Sequence, residues 1–302
     1  MIVREGNIPF KGFQTWYRLL NPEGRNTPLI LLHGGPGSTH HYFRGLDSLA
    51  VETDRPVIMY DQIGCGESMV TGHPELFSLE IWMEELISLR EQLDIKEAHI
   101  LGQSWGGMLA LWYALEGKGQ GVKSYILSST LSSASLWASE QHQRITRMAT
   151  KDQMAILNAT KSGDYSGAEY LAALDRFMGD YAGDPVSEIS PDFLKRQRNL
   201  GTEAYQTAWG PNEFTPMGNL KGFEVTDRLS EISQPCLVMS GQQDLSSPFI
   251  AKTMADALPD AEWELFRTSR HMPFIEEADH YRTVLGKWLF RHDGNHLDQH
   301  YS

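Results

Sequence analysis

Short apolar runs that end in turn residues alternate along the first third of the chain with segments of helical spacing. Residues 13–19 alternate at period two, which predicts an antiparallel strand leading into a sheet. Helical periodicity covers 79–93 and 108–115. Four further runs are apolar without interruption, as parallel strands buried on both faces are: 29–32, 57–60, 99–101 and 125–127. The pattern predicts an α/β fold with a mostly parallel sheet flanked by helices.

The pattern changes between about residues 132 and 219, where polar helical segments and glycine-containing turns replace the strand signals. Strand character returns at 236–239 and 263–266, each time followed by a loop and a helical stretch. We therefore predict one α/β core formed by residues 1–131 and 220–302. A helical cap, residues 132–219, is inserted into that core.

The 302 residues carry a formal net charge of −13 at pH 7, with 41% hydrophobic and 22% charged residues. The composition is that of a globular protein. The negative charge argues against nucleic acid or an anionic membrane as a partner, because phosphate binding needs clustered Lys and Arg. The two cysteines, Cys65 and Cys236, are too few for a disulfide framework, and no apolar run reaches the length of a signal peptide or a membrane span. We expect a cytoplasmic protein; its oligomeric state is not indicated by the sequence.

Ser104 lies in the segment Gly102-Gln103-Ser104-Trp105-Gly106, which follows one predicted strand and opens a predicted helix. Strand, tight turn and helix are the context of a nucleophile elbow. The flanking glycines permit a strained turn, and the helix N-terminus places partial positive charge where anionic intermediates form. This context predicts that Ser104 is a nucleophile and not merely a helix cap.

The segment His33-Gly34-Gly35-Pro36-Gly37 directly follows the predicted strand 29–32. In the α/β-hydrolase fold a loop in this position supplies one backbone N–H to the oxyanion hole, and the residue after the nucleophile supplies the other. We therefore predict this fold, with Gly35 and Trp105 as the two donors. His33 is expected to be a hydrogen-bonded structural residue.

Asp244 and His271 complete a predicted triad. Asp244 lies in the loop after the strand at 236–239, and His271 lies in the loop after the last strand. A serine hydroxyl needs a neighbouring imidazole to take its proton, and an acid fixes the tautomer of that imidazole. Asp227 and Asp256 are rival acids, but the first precedes the strand and the second falls in a helical stretch.

Three motifs together resemble the prolyl aminopeptidases, also called proline iminopeptidases: the segment 33–37, the segment Asp61-Gln62-Ile63-Gly64-Cys65-Gly66-Glu67-Ser68, and the segment 102–107. The likeness covers essentially the whole chain. It implies a serine aminopeptidase that releases an N-terminal residue, often proline, from short peptides without a metal. Amino-acid amidases are related to this family, so amides with a free amino terminus are also implied as substrates.

The resemblance extends to the cap, where Gly210-Pro211-Asn212-Glu213-Phe214 is similar to the family's cap motif. It implies that Glu213 binds the substrate's ammonium group. Trp137, Trp209 and Phe214 either line an apolar pocket suited to a proline ring or hold the cap together. One departure is Leu245, because some members carry a second acid directly after the triad aspartate; Ile63 replaces a frequent Arg.

Alternative functions remain open at this point. The first is a broader L-amino-acid amidase or arylamidase, and the second is a carboxylester or lactone hydrolase with the same triad, which would gain nothing from Glu213. Epoxide hydrolases and haloalkane dehalogenases use a carboxylate nucleophile where this chain has Ser104, and a binding protein would not need the complete triad. His292, His296 and His300 lack the organisation of a metal site, so neither a metal nor a cofactor is expected.

Overall fold

An eight-stranded sheet forms the centre of the computed structural model, which describes residues 1–196 and 198–294. The strand order is β1-β2-β4-β3-β5-β6-β7-β8, with β1, β2 and β4 antiparallel in succession and all other neighbours parallel. The strands are β1 (Val3–Phe10), β2 (Phe13–Leu20), β3 (Leu29–Leu32), β4 (Val57–Tyr60), β5 (Ala98–Gln103), β6 (Val122–Ser128), β7 (Cys236–Gly241) and β8 (Ala261–Phe266). The predicted α/β fold with a mostly parallel sheet is confirmed.

Eleven α-helices lie in the described part of the chain, and α4 to α8 fall between β6 and β7, where the cap was predicted. The helices are α1 (Leu49–Glu52), α2 (Leu79–Gln92), α3 (Trp105–Leu115), α4 (Ala134–Ile145), α5 (Thr150–Ser162), α6 (Ala168–Tyr181), α7 (Asp192–Lys195), α8 (Thr202–Ala208), α9 (Pro248–Ala257), α10 (Pro273–Glu276) and α11 (Ala278–His292). None of these helices is long and apolar enough to span a bilayer.

The central strands are buried on both faces of the sheet. In β3, Ile30 and Leu32 join one apolar cluster, whereas Leu29 and Leu31 join a second cluster on the opposite face. Successive side chains of a strand point to opposite faces, so helices must cover both. Burying one such side chain stabilises the fold by roughly 1.5–3 kcal/mol, and the sheet is therefore a rigid support for the loops at its edges.

A buried ion pair fixes the amino-terminal edge of the parallel strands. The guanidinium of Arg55, just before β4, donates from Nη1 and Nη2 to the two carboxylate oxygens of Asp293, each at 3.0 Å. His99, in β5, contacts the same carboxylate at 3.2 Å through Nε2. These contacts hold the end of α11 against the sheet, at the edge opposite the loops that carry the candidate residues.

The carboxyl ends of the parallel strands all meet at the other edge. The predicted oxyanion loop, residues 33–37, follows β3; Ser104 follows β5; and the loops of Asp244 and His271 follow β7 and β8. Ligands of open α/β sheets bind at this edge. The topology thus gathers the candidate residues from distant parts of the sequence.

Candidate active site

Ser104 occupies a strained turn between β5 and α3. Its φ of 54° and ψ of −122° lie in a region that non-glycine residues rarely adopt. Two hydrogen bonds hold the turn in this conformation: the N–H of Ser104 donates to the carbonyl of Ser128 at 2.9 Å, and Thr130 Oγ1 donates to the Ser104 carbonyl at 2.5 Å. A Cβ at Gly106 would lie 2.0 Å from the carbonyl oxygen of Leu32, so the elbow needs glycine there.

His271 and Asp244 form a hydrogen-bonded pair. Nδ1 of His271 donates to Oδ1 of Asp244 at 2.6 Å. The buried carboxylate also accepts the N–H of Gly241 at 3.0 Å and the N–H of Ser246 at 2.9 Å, which offsets the cost of its burial. With the proton on Nδ1, Nε2 of a neutral imidazole is available to accept another.

The rival acids are elsewhere. Asp256 is exposed on α9 and pairs with Lys252 of the same helix. Asp227 lies in a 3₁₀ helix, Thr226–Glu231, before β7. Among the residues that the structure describes, neither acid hydrogen-bonds to His271, whereas Asp244 does.

His33 is fully buried and its two ring nitrogens are both engaged. Nε2 accepts the N–H of Gln62 at 3.1 Å and Nδ1 donates to the carbonyl of Gly34 at 2.9 Å. Burial lowers the pKa of His33 to about 4, so the ring is neutral at pH 7. The Cys65 thiol lies 3.4 Å from Nε2, and burial raises its pKa well above the usual range. Through these contacts, His33 links the segment 61–68 to the oxyanion loop.

The backbone N–H groups of Gly35 and Trp105, the two predicted donors, have no protein acceptor within residues 1–196 and 198–294. Trp105 opens α3, and the first N–H groups of a helix lack intrahelical partners. Gly35 has a φ of 111°, a conformation suited to glycine. The neighbouring N–H of Gly34 is already used, since it donates to the Tyr42 hydroxyl at 2.5 Å.

Three cap aromatics were candidate substrate-binding residues. The Trp137 ring lies edge-on to the His271 ring, with centroids 6.2 Å apart. Trp209 packs edge-on against Trp137 at 6.1 Å. Phe214 is fully buried against Phe177 at 5.3 Å. Trp137 therefore borders the loop of His271, Trp209 packs on the far side of Trp137, and Phe214 packs within the cap.

Glu213 is held in place by two residues of the cap, Tyr205 and Trp137. Tyr205, on α8, donates its hydroxyl to Oε1 of Glu213 at 2.9 Å. Trp137 Nε1 donates to the Glu213 carbonyl at 2.6 Å and fixes the backbone. Burial raises the pKa of Glu213 above its usual value of 4.5, against the opposing effects of Tyr205 and His271. A cation bound here would favour the charged carboxylate.

The residue directly after Asp244 is Leu245 and not a second acid. The Leu245 side chain is buried, and its carbonyl accepts hydrogen bonds from Gln141 Nε2 at 2.7 Å and Arg144 Nη1 at 3.1 Å. The Arg144 guanidinium also stacks over the Tyr181 ring at 4.3 Å. Leu245 is thus part of the contact between α4 and the loop after β7.

Sequence reasoning missed Tyr42 and Gln103, which link the catalytic loops. The Tyr42 hydroxyl donates to Oε1 of Gln103 at 2.9 Å, and Nε2 of Gln103 donates to the carbonyl of His271 at 3.3 Å. The adjacency of Gln103 to Ser104 was the one signal for it. Tyr42 has no local signal, because it lies in a 3₁₀ helix, His40–Leu46, far from the other two along the chain.

The cap rests directly on the oxyanion loop through Gly201, the residue before α8. Its N–H donates to the carbonyl of Gly37 at 2.7 Å. Asn199 accepts the N–H of Gly66 at 2.8 Å and so joins the segment 61–68 to the cap as well. A Cβ on Gly37 would lie 2.4 Å from the Gly201 carbonyl oxygen, so these backbones are in close contact.

The arrangement can perform nucleophilic acyl transfer. It offers a hydroxyl on a strained turn, an imidazole paired with a buried carboxylate, two available N–H donors and a nearby carboxylate in the cap. The described residues contain no group of three or more His, Cys, Asp or Glu side chains that could hold a metal ion. Of the terminal histidines, His296 and His300 lie outside the described residues.

Comparisons with known proteins agree with this chemistry. The family model described as alpha/beta hydrolase fold matches residues 27–278. The proline iminopeptidase of Clostridioides difficile is 59% identical over 295 residues, covering 97% of this chain and 100% of the relative. That of Lactiplantibacillus plantarum is 52% identical, with coverages of 95% and 100%. The solved proline iminopeptidase of Mycobacterium smegmatis superposes with a TM-score of 0.84 at 30% identity, covering 96% of this chain and 99% of that one.

Proposed function

This chain belongs to the proline iminopeptidase family of α/β-hydrolases and is an aminopeptidase that releases N-terminal proline, and we propose that its acyl-enzyme forms on Ser104. The observation that supports this most strongly is the 2.6 Å pair of His271 and Asp244 at the sheet edge that carries the elbow. In this proposal His271 is the general base and Asp244 fixes its tautomer.

Acylation begins when Ser104 Oγ attacks the scissile carbonyl carbon and Nε2 of His271 takes the hydroxyl proton. The developing oxyanion accepts the N–H groups of Gly35 and Trp105. His271 then returns the proton to the leaving nitrogen, the C–N bond breaks, and the shortened peptide departs. Water attacks the remaining ester by the same route, which releases the free amino acid and restores the Ser104 hydroxyl.

Glu213 gives this chemistry its N-terminal specificity in our proposal. A protonated amino or imino group paired with Glu213 would hold the first carbonyl of the substrate beside His271 and Ser104. Trp137 contributes an apolar wall for a small side chain such as the proline ring, with Trp209 packed behind it and Phe214 supporting the cap through Phe177. Because Leu245 brings no second charge, ammonium binding rests mainly on Glu213, and amides with a free amino terminus also fit.

The substitution Glu213→Gln tests the proposed function. Removing one partner of a desolvated ion pair usually costs several kcal/mol, so kcat/KM on prolyl arylamides should fall roughly a hundredfold or more. Small neutral phenyl esters should be hydrolysed as before. N-acetylation of the substrate should have the same effect as the substitution, and the two changes together should be much less than additive.

Glu203→Gln is the matched control, because Glu203 lies on the same short helix as Tyr205 but contacts the exposed N–H of Gly72. It should leave kcat/KM unchanged on every substrate. Equal cleavage of acetylated and free substrates by the unmodified enzyme would refute the role of Glu213 and favour the carboxylesterase alternative. A panel of other aminoacyl arylamides separates strict proline release from a broader amidase.

We also propose a cytoplasmic location, since both cysteines are buried and unpaired, as expected in a reducing compartment. Short peptides with an unmodified amino terminus are the expected partners. Fractionation of cells with an antibody against the chain tests the location, and recovery outside the cytoplasm would contradict it.

A further inference from the structure

We propose that Tyr42 and Gln103 are positioning residues that hold the oxyanion loop, the elbow and the loop of His271 in one fixed arrangement. The inference rests on the proposed function, since it concerns the same triad. It assigns a role to two side chains that touch neither the scissile bond nor the ammonium site.

The hydrogen bonds form a continuous chain with one consistent direction. The N–H of Gly34 has only a proton to offer, so the Tyr42 oxygen is the acceptor and its own proton goes to Gln103. Because the amide atom that accepts the Tyr42 proton must be the oxygen, the nitrogen Nε2 of Gln103 faces the His271 carbonyl and donates to it. Three loops are thereby joined without using any atom of the triad side chains.

Burial makes the loss of these hydrogen bonds costly. Tyr42 is 6% exposed and Gln103 is 4% exposed, so neither side chain can replace a lost partner with bulk water. Leaving a buried donor or acceptor unpaired is unfavourable, because the group has lost its water without gaining another partner. A break at Tyr42 would strand two groups at once: the N–H of Gly34 and Oε1 of Gln103.

Packing reinforces the same link. A Cβ on Gly34 would lie 2.6 Å from Oε1 of Gln103 and 3.1 Å from Cβ of Ser104, so the backbone of the oxyanion loop packs closely against both residues. The Tyr42 ring also packs against Phe274, three residues after His271, with centroids 5.6 Å apart. Tyr42 therefore contacts the oxyanion loop through its hydroxyl and the histidine loop through its ring.

The expected consequence is a loss of rate with little loss of substrate binding. Gly35 directly follows Gly34, whose N–H is bonded to Tyr42, and Gln103 directly precedes Ser104. Breaking these hydrogen bonds therefore displaces the Gly35 N–H and the Ser104 hydroxyl relative to each other. Small displacements of reacting groups are costly because catalysis requires a fixed geometry. The ammonium site at Glu213 is attached to the cap and is not part of this chain of bonds.

Tyr42→Phe is the decisive variant, since it removes one oxygen and keeps the ring. We expect kcat to fall about 10- to 100-fold with KM within about twofold. The loss should be equal for prolyl arylamides and for neutral phenyl esters, because both need the oxyanion donors. Loss on both substrates distinguishes this result from a failure at Glu213, which affects only substrates with a free amine.

Tyr113→Phe is the matched control. Tyr113 is 2% exposed and its hydroxyl accepts Nη1 of Arg90 at 2.6 Å near the far end of α3. Both variants lose a buried tyrosine hydroxyl and should lose similar thermal stability, but only Tyr42→Phe should lose kcat. If kcat of Tyr42→Phe stays within twofold of the unmodified enzyme while its stability falls, the two residues are merely structural and the proposal is wrong.

Gln103→Leu provides the second measurement. It removes both hydrogen bonds at nearly constant volume and should lower kcat on both substrates at least as much as Tyr42→Phe. In the double variant the losses should be clearly less than additive, since each change breaks the same chain. Full additivity would show that the two side chains act independently and would also overturn the proposal.

Discussion

Nδ1 of His271 lies 2.6 Å from Oδ1 of Asp244, although 27 positions separate the two residues in the sequence. The sheet explains this proximity. Gly241 at the end of β7 pairs with Phe266 at the end of β8, so the loops that carry the acid and the base leave the sheet side by side. The register of two parallel strands therefore determines where His271 lies relative to Asp244.

Ser104→Ala should reduce kcat by at least about 10⁴-fold, because the members of a triad act as a unit. The elbow itself should persist, since its backbone hydrogen bonds involve no atom of the Ser104 side chain. Mass spectrometry after treatment with a fluorophosphonate should place the added mass on Ser104. Ser162→Ala, at an exposed serine of the cap, should keep full activity and labelling; labelling of another serine would disprove the assignment.

Asp244→Asn should lower kcat about 10⁴-fold. Both oxygens of Asp244 are acceptors, of Nδ1 on His271 and of two backbone N–H groups. An amide NH₂ must oppose one of these donors, so the imidazole is driven into the wrong tautomer or the loop is distorted. Steady-state kinetics of Asp227→Asn and Asp256→Asn provide the comparison, and a comparable loss in either would make that residue the acid.

The pH dependence of kcat/KM should differ between substrates. Burial raises the pKa of Glu213, so its charge is lost on acidification at a higher pH than that of an ordinary glutamate. Activity on prolyl arylamides should therefore decline earlier on the acid side than activity on phenyl esters. Glu213→Gln should abolish this difference in profile; identical profiles in the unmodified enzyme would contradict a charged Glu213 in substrate binding.

Asp293→Asn should lower the free energy of unfolding by about 3–5 kcal/mol at pH 7, because it leaves the buried Arg55 without its counter-charge. Burial alone would raise the pKa of Asp293, but His99 and Arg55 hold it below 3.8. Since the folded pKa is the lower one, this stabilisation is present above about pH 4 and is lost on further acidification. Urea unfolding of the unmodified protein and of Asp293→Asn at several pH values measures this difference in the free energy of unfolding.

The control for this variant is Asp94→Asn, at an exposed pair with Lys96. It should change the free energy of unfolding by less than about 1 kcal/mol. The kcat/KM of Asp293→Asn at 25 °C should match that of the unmodified enzyme, because the ion pair lies at the opposite edge of the sheet. A pH-independent difference in stability would show that the carboxylate charge is not what matters at Asp293.

The central strands could be predicted from the sequence because burial on both faces leaves an uninterrupted apolar run. The prediction of residues 29–32 and 57–60 agrees with β3 and β4 at both ends. In contrast, β1 (Val3–Phe10) was missed. Only Ile8 and Phe10 in it are buried, since it is an edge strand, and its polar residues carry no period-two signal.

Candidate catalytic residues could be predicted where the fold fixes them at a strand end, as with Ser104 and Asp244. The link through Tyr42 could not, because it depends on where a 3₁₀ helix places one hydroxyl relative to a loop that it does not adjoin in the sequence. The partner of Glu213 was missed for the same reason. Tyr205 reaches it by a side-chain hydrogen bond whose existence depends on the packing of the cap.

Gly201 has two neighbours with different tasks: Gly37 of the oxyanion loop and Tyr205, whose N–H donates to the Gly201 carbonyl at 2.8 Å. A displacement of α8 therefore moves Tyr205, which holds Glu213, and also pulls on the loop that carries the Gly35 N–H. The positions of Glu213 and of that loop are then coupled. Substitutions that loosen this junction, Gly201→Ala for example, should change KM and kcat together, as hinge substitutions often do.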